Sequence, residues 1–148
     1  MRYLRIVLCL VVFCCAFQAH AAERKAGIVR KAEGVVFVDR QGKLSPLKEG
    51  DTLYEKDTVV TRAGSVGIVM KDDSVMSVGS NSRLTVSEFV FEPAEKKYSL
   101  VTRLKQGTMV YLTGLIAKLN RSAIRLETPT AVAGVRGTHV AIKVEGHE

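Results

Sequence analysis

The run TPTAVAGVRGTHVAIKV, Thr128 to Val144, sets an arginine between two glycines just before a clean alternation of apolar residues. An arginine in that place suits one of three tasks. It can hold an anionic ligand, steady negative charge in a reaction, or clip main-chain carbonyls with its five N–H donors. Other residues fit for chemistry are few. Asp51 and Asp57, near Gly50 and Lys56, read as turn formers that bond their own backbone. Asp72-Asp73-Ser74 lacks the alternating oxygen ligands and distal glutamate of a calcium loop, and reads as a hairpin turn. A small hydrolase would need these acids gathered around His139. His139 and His147 have no second ligand at metal spacing, no serine sits in a Gly-x-Ser-x-Gly elbow, and no glycine-rich phosphate cradle precedes a helix. No catalytic, metal or cofactor residue is assigned, and the chain is expected not to be an enzyme.

The elements that position these residues carry a period of two. Val66, Ile68 and Met70 fall on one face of a strand; Tyr98, Leu100 and Leu104 on one face of another; Val140, Ile142 and Val144 on a third. Turn signals separate the runs at Gln41-Gly42, Glu49-Gly50-Asp51, Ala63-Gly64-Ser65, Asp72-Asp73, Gly79-Ser80-Asn81, Gln106-Gly107 and Ala133-Gly134. The pattern predicts an all-β fold of many short strands, with at most one short helix. Leu115, Ile116 and Leu119 have one turn of helical spacing and are expected to cover an open end of the core, as a short helix or an apolar loop. Glu92 to Lys97 is the most polar stretch and is expected to be an exposed loop.

The N-terminus sets the compartment. Arg2 and Arg5 precede an apolar run from Ile6 to Phe17, and Ala19 and Ala21 supply small residues for a cut after Ala21. This is the three-part pattern of a secretory signal peptide, residues 1–21, and the run is short for a bilayer span of roughly 20 residues. The three cysteines of the chain, Cys9, Cys14 and Cys15, all lie inside it, and none follows the small residue that lipid attachment wants. The remaining residues, 22–148, form a single domain with no disulfide and no membrane span, expected in the periplasm. The full chain has a formal charge of +7, which falls by two with Arg2 and Arg5. The cations outside that segment are scattered, without interleaved aromatics, so no nucleic-acid partner is expected.

The order of motifs resembles the FecR domain family, named for the periplasmic domain of the ferric-citrate regulator. Gly50-Asp51-Thr52-Leu53 followed by Asp57-Thr58-Val59-Val60-Thr61 resembles its opening, and Asp72-Asp73-Ser74 with Asn81-Ser82-Arg83-Leu84 its middle. Leu104 to Val110, around Gly107, is similar to its "L-x-x-G-x-V" strand. Thr128-Pro129 through Val135-Arg136-Gly137-Thr138 is similar to its "TP-x-A-x-x-x-VRGT" close. The family turn has glycine where Asp73 stands; aspartate tolerates the left-handed conformation better than most residues.

The resemblance implies a short β-solenoid or twisted double sheet of sandwich-like build. It implies the periplasmic module alone, because the regulators add an anti-sigma segment, a membrane span and a receptor-binding domain. On it, Arg136 is expected to be an internal clip that ties the last strand to a neighbouring coil; capture of a carboxylate or phosphate is the alternative. The function expected is a non-enzymatic sensor, adaptor or scaffold with a protein partner in the envelope. The alternative is a carbohydrate or cell-wall module meeting peptidoglycan or lipopolysaccharide. The chain has no Trp, so Tyr54, Tyr98 and Tyr111 would have to serve as its sugar platforms.

Overall fold

The computed structural model describes residues 23–146; residues 1–22, which hold the expected signal peptide with Ala19 and Ala21, and residues 147–148, with His147, lie outside the described residues. Ten strands follow one another: β1 (Lys25–Arg40), β2 (Lys43–Pro46), β3 (Thr52–Tyr54), β4 (Thr58–Met70), β5 (Val75–Val78), β6 (Arg83–Glu92), β7 (Lys97–Leu112), β8 (Ile124–Glu127), β9 (Val132–Gly134) and β10 (His139–Val144). One helix, α1 (Leu115–Leu119), interrupts them. Among the described residues, no helix is long and apolar enough to cross a membrane.

All ten strands belong to one sheet, and part of it closes on itself. β4 pairs with β5, β5 with β7, β7 with β6, and β6 with β4, every pair antiparallel. β1 lies along β4 from Gly27 opposite Met70 to Asp39 opposite Thr58, and carries β2 and β3 on its other side. β7 is the spine of the second half. Its first part lies between β6 and parallel β8, and its second between β5 and β10. The core fills the space these strands enclose, with Ile68, Met76, Leu84, Leu100, Leu104, Tyr111 and Leu126 at 0% exposure.

The all-β class and the single short helix are as the alternation predicts. Val66, Ile68 and Met70 are buried together, as are Leu100 and Leu104, while Val140, Ile142 and Val144 pack against the same core. The strand lengths and the arrangement differ from expectation. β1 and β7 each run 16 residues, and the sheet closes on a four-strand ring instead of stacking coils or facing a second sheet. The strands run longer because three of the seven turn signals, each with a glycine, lie inside strands. Gly64 stands opposite Gly34 in the β1–β4 ladder, where a Cβ on either would meet the backbone of the other strand. Gly107 lies in mid-β7 at φ 94°, against Ser82. Gly134 is the last residue of β9. Glycine inside a strand marks a bend or a close approach as readily as a turn.

The turns at the strand ends form where the sequence predicts them. The β4–β5 hairpin puts Asp73 in the left-handed region at φ 61°, with Met70 N–H donating to the Ser74 carbonyl at 2.8 Å. α1 covers one end with Ile116 and Ala117, the former wholly buried, and leaves Leu119 exposed. Glu92 to Lys97 turns through a short 3-10 segment with Lys96 left-handed and no buried residue in the 3-10 turn.

Gly107→Ala combines a left-handed backbone with a Cβ that would meet Ser82, so a loss of about 2–4 kcal/mol is expected. Urea unfolding measures it; a loss below about 0.5 kcal/mol would show that the bend needs no glycine.

Candidate functional site

The family-motif residues separate into a buried set that holds the ring together and an exposed set that does not. The buried set begins at the turn Gly79–Ser82 between β5 and β6. Thr61, 2% exposed in β4, donates its hydroxyl to the Gly79 carbonyl and accepts the Ser82 N–H at 3.0 Å. Ser82, 1% exposed, accepts the Thr108 N–H at 3.0 Å on its own hydroxyl. One turn is therefore stitched to β4 on one flank and to β7 on the other. Both long strands exchange β6 for β5 as their partner there.

A second stitch lies at the β4–β5 hairpin. Asp72 and Ser74 are wholly buried. The Asp72 carboxylate accepts the Ser74 hydroxyl at 2.7 Å and its N–H at 3.3 Å, and its other oxygen accepts the Ile116 N–H at 3.3 Å. The Asp72 carbonyl accepts the Leu115 N–H at 2.7 Å. A carboxylate 44 residues away in sequence thus satisfies the first turn of α1, a task that Gly114 at its N-cap cannot perform. Beside it the Tyr111 hydroxyl is fully buried without a hydrogen-bond partner among the described residues. Burial pushes that phenol up to about 12; the Asp72 charge adds to the rise, and the nearby Ser74 hydroxyl opposes it.

The third stitch holds the β3–β4 turn. Asp57, 1% exposed, accepts Arg40 Nε at 2.8 Å, Arg40 Nη2 at 2.7 Å and the Tyr54 N–H at 2.8 Å. The guanidinium lies over the Tyr54 ring, 4.4 Å from its centre, and its bond to Asp57 holds its own pKa above the usual value. Beside this pair opens a cleft of about 580 Å³ lined by Glu23, Arg24, Gln41, Glu55 and Lys56. Asp51 closes its own turn by accepting the Lys48 N–H at 2.8 Å, next to Gly50 at φ 88°. Asp51 and Asp57 are thus the turn formers the sequence indicates.

The acids and His139 do not form one constellation. Asp57 precedes β4 and Asp72 follows it, so the 13-residue length of β4 separates them. Both oxygens of each carboxylate already accept hydrogen bonds. Among the described residues, no group of three His, Asp or Glu side chains gathers as a metal site would require.

The closing motif requires a correction. Arg136 is exposed, and among the described residues its side chain has no hydrogen-bond partner or ion pair; it is no clip. The expectation assumed a confined turn, where a charge must be paired. The turn lies on the surface instead, and water can serve the guanidinium. What anchors the segment is Val135, 4% exposed in the core, and what ties β10 is its ladder with β7 from His139 opposite Leu112 to Val144 opposite Gly107. Thr128 folds its own turn around exposed Pro129, accepting the Ala131 N–H at 3.0 Å, and Gly137 and Thr138 are exposed.

Sequence reasoning missed Arg40 as the partner of Asp57 and Ser82 as the partner of Thr61. Ser82 stands inside a motif stretch that was legible. Arg40, 17 residues before Asp57, gives no local signal.

The family model described as FecR protein matches residues 57–148. A solved structure named "Cell surface anchoring domain" is 32% identical, covering 40% of this chain and 82% of its own, with a TM-score of 0.39. The curated proteins give no match.

The buried phenol generates a pH prediction. The folded chain keeps the Tyr111 proton up to about pH 12, whereas the unfolded chain releases it near the usual tyrosine value of 10.0. This contribution to stability is therefore full below pH 10 and is lost as pH rises through about 12, by about 2–3 kcal/mol at most. Tyr111→Phe should remove that alkaline slope and leave neutral stability equal or higher, because it deletes an unpaired buried hydroxyl. Urea midpoints of both proteins across this range check it; parallel slopes would contradict it.

Proposed function

Since this chain belongs to the FecR protein family, we propose that it is an exported, non-enzymatic protein-binding module of the cell envelope, serving as a sensor, adaptor or scaffold. The observation that carries this reading is the exposed position of the closing motif. Thr128 to Thr138 contributes one side chain, Val135, to the core, and leaves Arg136 without a partner among the described residues. A segment whose side chains, Val135 and half-buried Thr128 apart, are exposed is available to a partner. The N-terminal export pattern supports the envelope as its place of work.

The engagement of the two buried motif acids by the fold supports a non-enzymatic role. A general base needs a free lone pair within reach of substrate. Asp57 and Asp72 spend theirs on Arg40, Tyr54, Ser74 and Ile116.

The cell-wall alternative loses most of its aromatic surface. Tyr111 has no exposed area, and Arg40 covers a face of Tyr54. A sugar ring needs a flat face of that kind open to solvent, and Tyr98 is in tilted contact with Phe91 at 6.2 Å.

Capture from envelope extract of the organism's own cells, with the chain at natural abundance, should recover one protein partner in fixed stoichiometry. Repeated recovery of the chain alone would overturn the proposal. Sedimentation with purified sacculi should show at most binding that salt removes; salt-resistant binding would favour the cell-wall alternative.

A further inference from the structure

At Gly27, Gly34, Gly64, Gly79, Gly107 and Gly114 an added Cβ would collide with backbone or side chain, and Gly42 and Gly50 have left-handed φ; Gly67, Gly134, Gly137 and Gly146 have neither reason. Gly134 has no such reason to be glycine. Nothing lies within 4 Å of where its Cβ would stand, and its φ is outside the left-handed region. It sits in β9, the last strand of the sheet path, whose ladder partner is β8 alone among the described residues. An open strand edge leaves backbone N–H and C=O groups to which a second backbone can pair.

The charge around this edge has one sign. Arg125 stands opposite Gly134 in the β8–β9 ladder, and Arg136 follows two residues later. Both are exposed and neither has a hydrogen-bond or ion-pair partner among the described residues. Residues 23–96 carry twelve Lys and Arg against twelve Asp and Glu, whereas residues 97–148 carry eight against three. The positive excess beyond the export segment therefore lies wholly in the part of the chain that builds this edge. Glu127, the nearest acid, is already taken by Arg103 at 2.7 Å. A second copy of this chain would set the same arginines against themselves, so like charge opposes self-pairing.

We propose that the outer edge of β9, with Arg125 and Arg136, takes an extended acidic segment of a partner protein as an added β-strand. The inference rests on the protein-binding reading and names its site. Main-chain hydrogen bonds along the edge would supply affinity, and the guanidinium forks would select carboxylates at alternate positions of the incoming strand. Val132, 64% exposed on the same strand, offers an apolar contact between them.

The test titrates the isotopically labelled exported protein with an acetylated eight-residue peptide of alternating Glu and Val, and with its Lys and Val counterpart. The acidic peptide is expected to protect the amides of Val132–Gly134 from exchange, and the lysine peptide to bind at least about tenfold more weakly. Arg125→Glu combined with Arg136→Glu is expected to melt with the wild type and to lose at least about tenfold in affinity. Arg136→Glu alone is expected to lose part of that factor, and it carries the test if the double variant lowers the melting temperature. Equal binding of the two peptides, binding indifferent to both substitutions, protection at the Arg40 cleft instead, or no binding up to millimolar peptide would each overturn the proposal. Equal capture of an envelope partner by wild type and Arg136→Glu would keep the protein-binding reading and remove this edge as its site. Failure of capture by the wild type would remove the reading itself.

Discussion

The ring of β4, β5, β7 and β6 exists because one turn is bonded to both of the strands that flank it. A closed set of strands has a corner where each long strand must release one neighbour and take the next, and ladder hydrogen bonds are lost on both sides of such a corner. Here the lost bonds are replaced by two hydroxyls. Thr61 serves Gly79 and Ser82, and Ser82 serves Thr108. Each is buried, so the backbone groups they satisfy have little access to water as a substitute. Gly107 brings β7 close enough for this to work, since any side chain there would occupy the place of Ser82.

The other two stitches follow the same logic at other ends of the strands. Asp72 finishes the β4–β5 hairpin and the first turn of α1 together, and Asp57 finishes the β3–β4 turn while holding Arg40 over Tyr54. Arg40 is 35% exposed on its side chain, so water screens the charge attraction and the hydrogen bonds carry most of what that pair contributes. A small β domain without disulfides among the described residues is thus held by its apolar core together with buried polar side chains that complete its irregular backbone. These side chains include Asp57 and Asp72, two of the four acids that a search for chemistry selects first. The surface left for other work is the closing segment, where the same family signature lies exposed.

Much of this architecture was legible in the chain. The alternation of Val66, Ile68 and Met70 gave the buried face of β4, and the Asp72-Asp73-Ser74 signal gave the hairpin, down to the left-handed aspartate. What failed were the inferences that depend on distance across the sheet. Gly64 and Gly107 look like turn glycines locally, and only their opposite neighbours, Gly34 and Ser82, show that they are bends in long strands. Arg136 was legible as special and misread in role. Two flanking glycines suggest confinement, whereas Gly134 has open space around it and Gly137 nearly so. The partner of Asp57 was invisible because Arg40 belongs to another strand.

The most direct measurement is a double-mutant cycle on the corner, using Thr61→Val and Ser82→Ala with stability read by urea unfolding. If the two hydroxyls act as one stitch, each single change costs about 1–3 kcal/mol, and the pair together costs less than the sum by about 1 kcal/mol or more. Effects that add to within about 0.3 kcal/mol, or single changes that cost nothing, would contradict the account, because the ring would then be closing without them.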